Sequence, residues 1–232
     1  MGGQACVFYG AAEFSRDCDI VLLADESNFV RLNLALNELL AECIAIPEFK
    51  PEYLLRGHAV HFRCFHPDVA NLRLDVMAKL RGCDRFEELW TRRTSIEDLH
   101  AGVTFELLSV EDLVLAKKTQ RDKDWPMIRR LVEAHYSQFQ DQPTAEMIRF
   151  WLRESRSPSM LWSVAEAFPD LRNDLKDIRP WLSELDLNDF KKVEFALREE
   201  ERVERSLDEE YWRPLKQELT ELRLNRSRRP QP

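Results

Sequence analysis

The stretch that most constrains this chain is Asp17-Cys18-Asp19 leading into Ile20-Val21-Leu22-Leu23-Ala24. The apolar run is β-branched and leucine-rich, and Asp25-Glu26-Ser27 stops it, which predicts a buried β-strand. Successive strand side chains alternate, so Asp17 and Asp19 share one face while Cys18 and Ile20 take the other. Two neighbouring carboxylates repel each other and resist burial. A divalent cation relieves both costs, and Mg²⁺ is the expected ion because it prefers hard oxygen ligands. Upstream, Gly2-Gly3 precede a helix-compatible run from Gln4 to Tyr9. A helix opened by glycines presents free N–H groups and a partial positive charge, which suits a phosphate.

Gly2-Gly3, then Ser15-Arg16 before Asp17-Cys18-Asp19, together resemble the signature of the nucleotidyltransferase superfamily, whose core is like that of DNA polymerase β. The resemblance is closest to the GG-x-A branch, which includes the toxin nucleotidyltransferases of type IV toxin–antitoxin systems. It implies a small mixed β-sheet flanked by helices, an α+β core. It also implies a strand immediately ahead of the glycines; only Met1 stands there, so the first core strand is expected to be missing from this sequence. A third carboxylate from a later strand completes such a site, and Leu74-Asp75-Val76 has the form required. Read by itself, without the upstream motif, Asp75 is better taken as a strand residue paired with Arg73 or Lys79. Leu108 to Asp124 carries further resemblance, placing Lys117 and Arg121 where the family meets the triphosphate or the leaving pyrophosphate. Spaced four apart, these two are expected on one helical face, with a solvated face of mixed charge as the alternative.

At 232 residues the chain suffices for one large domain or two small ones, and 44% hydrophobic residues support an ordinary core. A net charge of −8 argues against general nucleic-acid binding through the overall field, so any such contact requires a local basic patch. No apolar run approaches the roughly 18 residues of a membrane span, and the N-terminus lacks the features of a secretory signal. The five cysteines form no Cys-x-x-Cys pair, which suggests neither a disulfide framework nor a zinc knuckle. A reducing cytoplasm, with no membrane partner, is the expected setting.

In chain order, Ser27 is expected to cap a packing helix reaching about Cys43, and Pro47 and Pro51 mark a loop. Residues 59–65 and 72–80 read as a hairpin that places Arg73, Asp75, Met77 and Lys79 on one face. His58 and His61 fall on opposite strand faces, so a shared transition-metal site is not expected, and both read as surface or turn residues. Phe86, Leu89 and Trp90 suggest a short helix, residues 103–108 a strand, and Ser109 the cap of the helix carrying Lys117. The polar stretch 137–143 suggests a boundary between a core at 1–136 and a helical C-terminal region at 137–232. Within that region residues 199–210 are densely acidic, the pattern of a solvated helix, and the basic tail from Arg223 reads as frayed.

The resemblance implies an enzyme that moves a nucleoside monophosphate from a nucleoside triphosphate such as ATP to a hydroxyl acceptor, releasing pyrophosphate. Two Mg²⁺ ions are expected on Asp17, Asp19 and Asp75, with Gly2, Gly3, Lys117 and Arg121 binding the nucleotide. The acceptor is an RNA end, a protein or a small molecule. The alternative is a catalytically inactive binding module of a toxin–antitoxin or defence system, with an antitoxin as its partner.

Overall fold

The computed structural model describes residues 1–184 and 186–228. Its elements run α1 (Gly2–Phe8), β1 (Asp17–Val21), α2 (Glu26–Glu38), β2 (Glu42–Cys43), α3 (Pro51–Arg56), β3 (Val60–Arg63) and β4 (Arg73–Met77). They continue with α4 (Phe86–Thr91), β5 (Thr94–Asp98), β6 (Val103–Leu107), α5 (Val110–Lys117) and α6 (Asp124–Phe139). The C-terminal part is helical: α7 (Ala145–Glu154), α8 (Pro158–Ala167), α9 (Pro169–Asn173), α10 (Trp181–Glu184) and α11 (Phe190–Arg228). The chain is therefore a mixed α+β protein built on a small sheet.

That sheet has the order β1-β4-β3-β2. β1 runs parallel to β4, with Asp17 opposite Arg73 and Asp19 opposite Asp75, while β3 is antiparallel to β4 and sets His61 opposite Asp75. β1 starts at Asp17 but is half-buried throughout rather than buried, because it lies at the sheet edge with a strand on one side only. On the outer side the Met1 amine donates to the Asp19 carbonyl at 2.8 Å. Leu74 and Val76 bury one face of β4 with Val60 and Phe62 of β3, against Phe29, Leu32 and Leu36 of α2 and Leu54 of α3. The opposite face carries Asp17, Asp19, Asp75 and Arg73.

Several local expectations shift. Asp25, not Ser27, caps α2: its carboxylate accepts from the Asn28 amide at 2.7 Å, while Ser27 donates to that same carboxylate. The helix ends at Glu38, and Cys43 lies in β2. Pro51 opens α3 instead of extending a loop, since a proline at the first helical position sacrifices no intrahelical bond. The hairpin, the short helix at Phe86 and the strand from Val103 form as expected, and β5 pairs with β6. Ser109 caps α5 by accepting from the Asp112 amide at 3.1 Å.

The larger apolar cluster joins Ala5 and Cys6 of α1 with Leu113, Ile128, Trp151, Leu161, Val193 and Leu197. α6 passes through positions 136 and 137 to Phe139, so residues on both sides of that point share this core. α11 is one continuous helix, and its acidic run is solvated only in part: Glu209 and Glu210 are exposed. Glu200, Glu204 and Asp208 recur every four residues on the inward side. Glu200 meets Arg179 and Arg156, Glu204 meets Arg81, and Asp208 accepts from the Gln120 amide. Farther along, Glu218 accepts from His58 at 2.7 Å. His58 is thus a buried histidine rather than a surface one, at 1% exposure. Arg223, Arg226 and Arg228 continue α11, whereas the tail from Arg229 lies outside the described residues.

Candidate active site

The parallel register of β1 and β4 decides which side chains meet. Residues directly opposite on neighbouring strands are about 4.8 Å apart and project to the same side. Asp19 and Asp75 are such a pair, and Asp17 lies two residues back on the same face. Three carboxylates separated by up to 58 positions thus line one cleft of about 530 Å³. Its walls come from Gly2 and Gly3 of α1, Lys117 at the end of α5, Thr119 to Arg121 in the following loop, and Asp208, Trp212 and Lys216 of α11.

The three carboxylates are not equivalent. Asp75 Oδ1 accepts from Arg73 Nε at 2.8 Å and faces His61 Nδ1 at 2.8 Å, and Asp75 Oδ2 accepts from Arg73 Nη2 at 3.1 Å. Burial pushes the Asp75 carboxyl upward, but the hydrogen bonds from His61 and Arg73 outweigh it and hold it below the ordinary carboxylate value. Among the described residues, Asp17 and Asp19 take part in no ion pair; Asp19 Oδ2 accepts only a long bond from the Gly3 amide, 3.4 Å.

The two glycines are required by close approach. Gly2 has φ +67°, and a Cβ there would lie 1.9 Å from Asp19 Oδ2; one on Gly3 would lie 2.3 Å from Ser15 Oγ. Only glycine lets the start of α1 rest directly on the carboxylate strand.

Lys117 and Arg121 do not share a helical face. α5 ends at Lys117, the backbone turns at Lys118, and Arg121 lies in the loop before α6. What gathers them is Asp124, which is 1% exposed. It pairs with Lys117 Nζ at 3.3 Å and Arg121 Nε at 2.7 Å, and accepts from Thr119 Oγ1 at 2.6 Å. Burial raises the Asp124 carboxyl, but Lys117, Thr119 and Arg121 outweigh it and hold the carboxyl below its ordinary value. Lys117 and Arg121, both held by Asp124, line the same cleft as the carboxylates.

As a cation site the donor chemistry is suitable: oxygen-only carboxylates, two of them without a cationic partner. The geometry is not a closed cage. Among the described residues no group of three or more Asp, Glu, His or Cys is placed so as to hold a metal ion. Both oxygens of Asp75 are engaged by Arg73 and His61.

Three contributors escape a reading of the sequence. Arg73 is foreshadowed only as a strand neighbour of Asp75. Asp208 and Trp212 sit in the acidic helix, where the one available signal is the four-residue recurrence of acids from Glu200. No family model, curated protein or solved structure matches the chain.

Proposed function

We propose that this cleft transfers a nucleoside monophosphate from a nucleoside triphosphate to a hydroxyl acceptor. The observation that carries the reading is the register of Asp19 against Asp75 with Asp17 on the same face, in a cleft also lined by Lys117 and Arg121. Asp17 and Asp19, joined by Asp75, are the residues that would hold Mg²⁺. When bound, that ion supplies acceptor-hydroxyl acidification and neutralises charge on the triphosphate. Lys117 and Arg121 supply fixed positive charge toward phosphate oxygens, and Asp124 fixes their direction. The close contact of Gly2 with Asp19 leaves no side chain between the α1 backbone and the carboxylate. The acceptor is an RNA end, a protein or a small molecule.

A second reading rests on a specific observation: Arg73 and His61 already satisfy Asp75. A third carboxylate already neutralised by neighbouring side chains is what a non-catalytic nucleotidyltransferase-like module would carry, with a partner such as an antitoxin.

Thermal melts separate the two. Mg–nucleotide at a hundredfold excess over its dissociation constant stabilises the native state by about 2.7 kcal/mol. For a chain of this size that is roughly 5–11 °C. The enzyme reading predicts this shift in the wild type and its loss in Asp19→Asn. The module reading predicts no shift with any of the four nucleotides.

A further inference from the structure

Arg73 is the cation in contact with the carboxylate face. Its guanidinium reaches Asp75 through two nitrogens, at 2.8 and 3.1 Å, and its Nη2 also lies 3.1 Å from His61 Nδ1. Of the other cations lining the cleft, Lys117 and Arg121 are tied to Asp124, and Arg81 to Glu204. Asp75 is mostly buried, 14% exposed, whereas the Arg73 side chain is 39% exposed and can leave without unpacking the sheet. Both residues belong to β4, and the guanidinium is the more exposed member of the pair.

We propose that Arg73 is the resident cation of this carboxylate cluster, and that it exchanges its place on Asp75 for the phosphates of the incoming nucleotide, which frees Asp75 for a divalent ion. This inference rests on the nucleotidyl-transfer reading of the same cleft. An ion and a guanidinium compete for the same two oxygens, so metal alone binds weakly while Arg73 is in place. A nucleotide changes the balance. Its phosphates offer the guanidinium a planar, bidentate partner of higher charge, within the same cleft, and the vacated oxygens become free for the ion. Nucleotide and metal then bind cooperatively because one arginine is transferred between their sites. In the absence of nucleotide, the arginine keeps three like charges from facing one another uncompensated.

Arg73 acts here as a positioning residue, and its removal should move two affinities in opposite directions. Manganese alone, titrated by electron paramagnetic resonance, should bind Arg73→Met at least tenfold tighter than wild type. The gain should disappear in Arg73→Met/Asp75→Asn. ATP alone, titrated calorimetrically in EDTA, should bind Arg73→Met about tenfold more weakly than wild type. Arg73→Gln, which keeps a polar side chain in case the methionine variant misfolds, should show both trends. Equal manganese affinity in wild type and the folded Arg73 variants overturns the proposal while leaving the nucleotidyl-transfer reading intact. So does unchanged ATP affinity. Failure of the wild type and both variants to bind either manganese or ATP overturns the proposal together with the reading beneath it.

Discussion

Replacing Arg179 with methionine tests whether α11 is as firmly fixed as the cleft requires. Arg179 is 2% exposed and makes four hydrogen bonds. Two go to Glu200 on α11, at 2.8 and 2.7 Å, and two go to the Leu152 and Ser155 carbonyls at the end of α7, at 2.7 and 3.1 Å. Those carbonyls have no intrahelical partner, so a buried side chain must satisfy them. Methionine fills much of the volume but orphans both carbonyls and leaves Glu200 with Arg156 and Trp181 alone. Removing one member of a buried pair costs about 3–5 kcal/mol, a large part of the roughly 5–15 kcal/mol that holds a domain folded. At roughly 2–4 °C per kcal/mol for this chain length, about 4 kcal/mol corresponds to a fall in Tm of roughly 8–16 °C. Glu200 also sets the pH dependence. Burial raises its carboxyl, but Arg179 and Arg156 together with Trp181 outweigh that and place it below its ordinary 4.5. A depressed folded value gives stability that is present above 4.5 and lost as pH falls through the folded value. The gap between wild type and Arg179→Met should therefore be full at pH 7 and narrow below pH 4.5. Urea unfolding across that range is the assay. A cost under about 1 kcal/mol at neutral pH, or a gap that widens with acid, would refute the assignment of this network as a structural tie.

Two further substitutions probe the cleft itself. Gly2→Ala forces a Cβ into the space of the Asp19 carboxylate at a backbone φ of +67°, so manganese and Mg–nucleotide binding should weaken at least tenfold, measured by titration. Asp208→Ala removes the acceptor of the Gln120 amide, a 3.0 Å bond, so exchange of that amide should accelerate while amides at the centre of β3 and β4 keep their protection.

The carboxylate pair was legible because a period of two fixes which residues share a strand face, whatever the strand later pairs with. That Asp75 joins them depends on β1 lying beside β4, and no local pattern encodes that neighbour; only the resemblance pointed to it. Ser109 was legible as a cap because its bond spans three residues. Asp25 and Ser27 are both competent caps, and a competition between side chains two residues apart is settled by geometry. Lys117 and Arg121 were misplaced because helical spacing was extended one turn beyond the break at Lys118. The acids of α11 looked solvated because their partners are remote: Asp208 meets Gln120, 88 positions away, and Glu218 meets His58, 160 positions away. Pro51 read as a breaker, although the same rigid ring starts a helix as readily as it stops one. β5, with the half-polar sequence Thr94-Ser95-Ile96-Glu97-Asp98, gave too little apolar alternation to stand out.

The most direct test of the cleft's proposed chemistry is transfer of label. Wild type and Asp19→Asn are each incubated with Mg²⁺, each α-phosphate-labelled nucleoside triphosphate in turn, and total cellular RNA and protein, and the label is then located. The account predicts that one or more nucleotides label an acceptor in the presence of wild type, with release of pyrophosphate, and that Asp19→Asn labels none. Absence of labelling by wild type with all four nucleotides, together with absence of any Mg–nucleotide thermal shift, would contradict it.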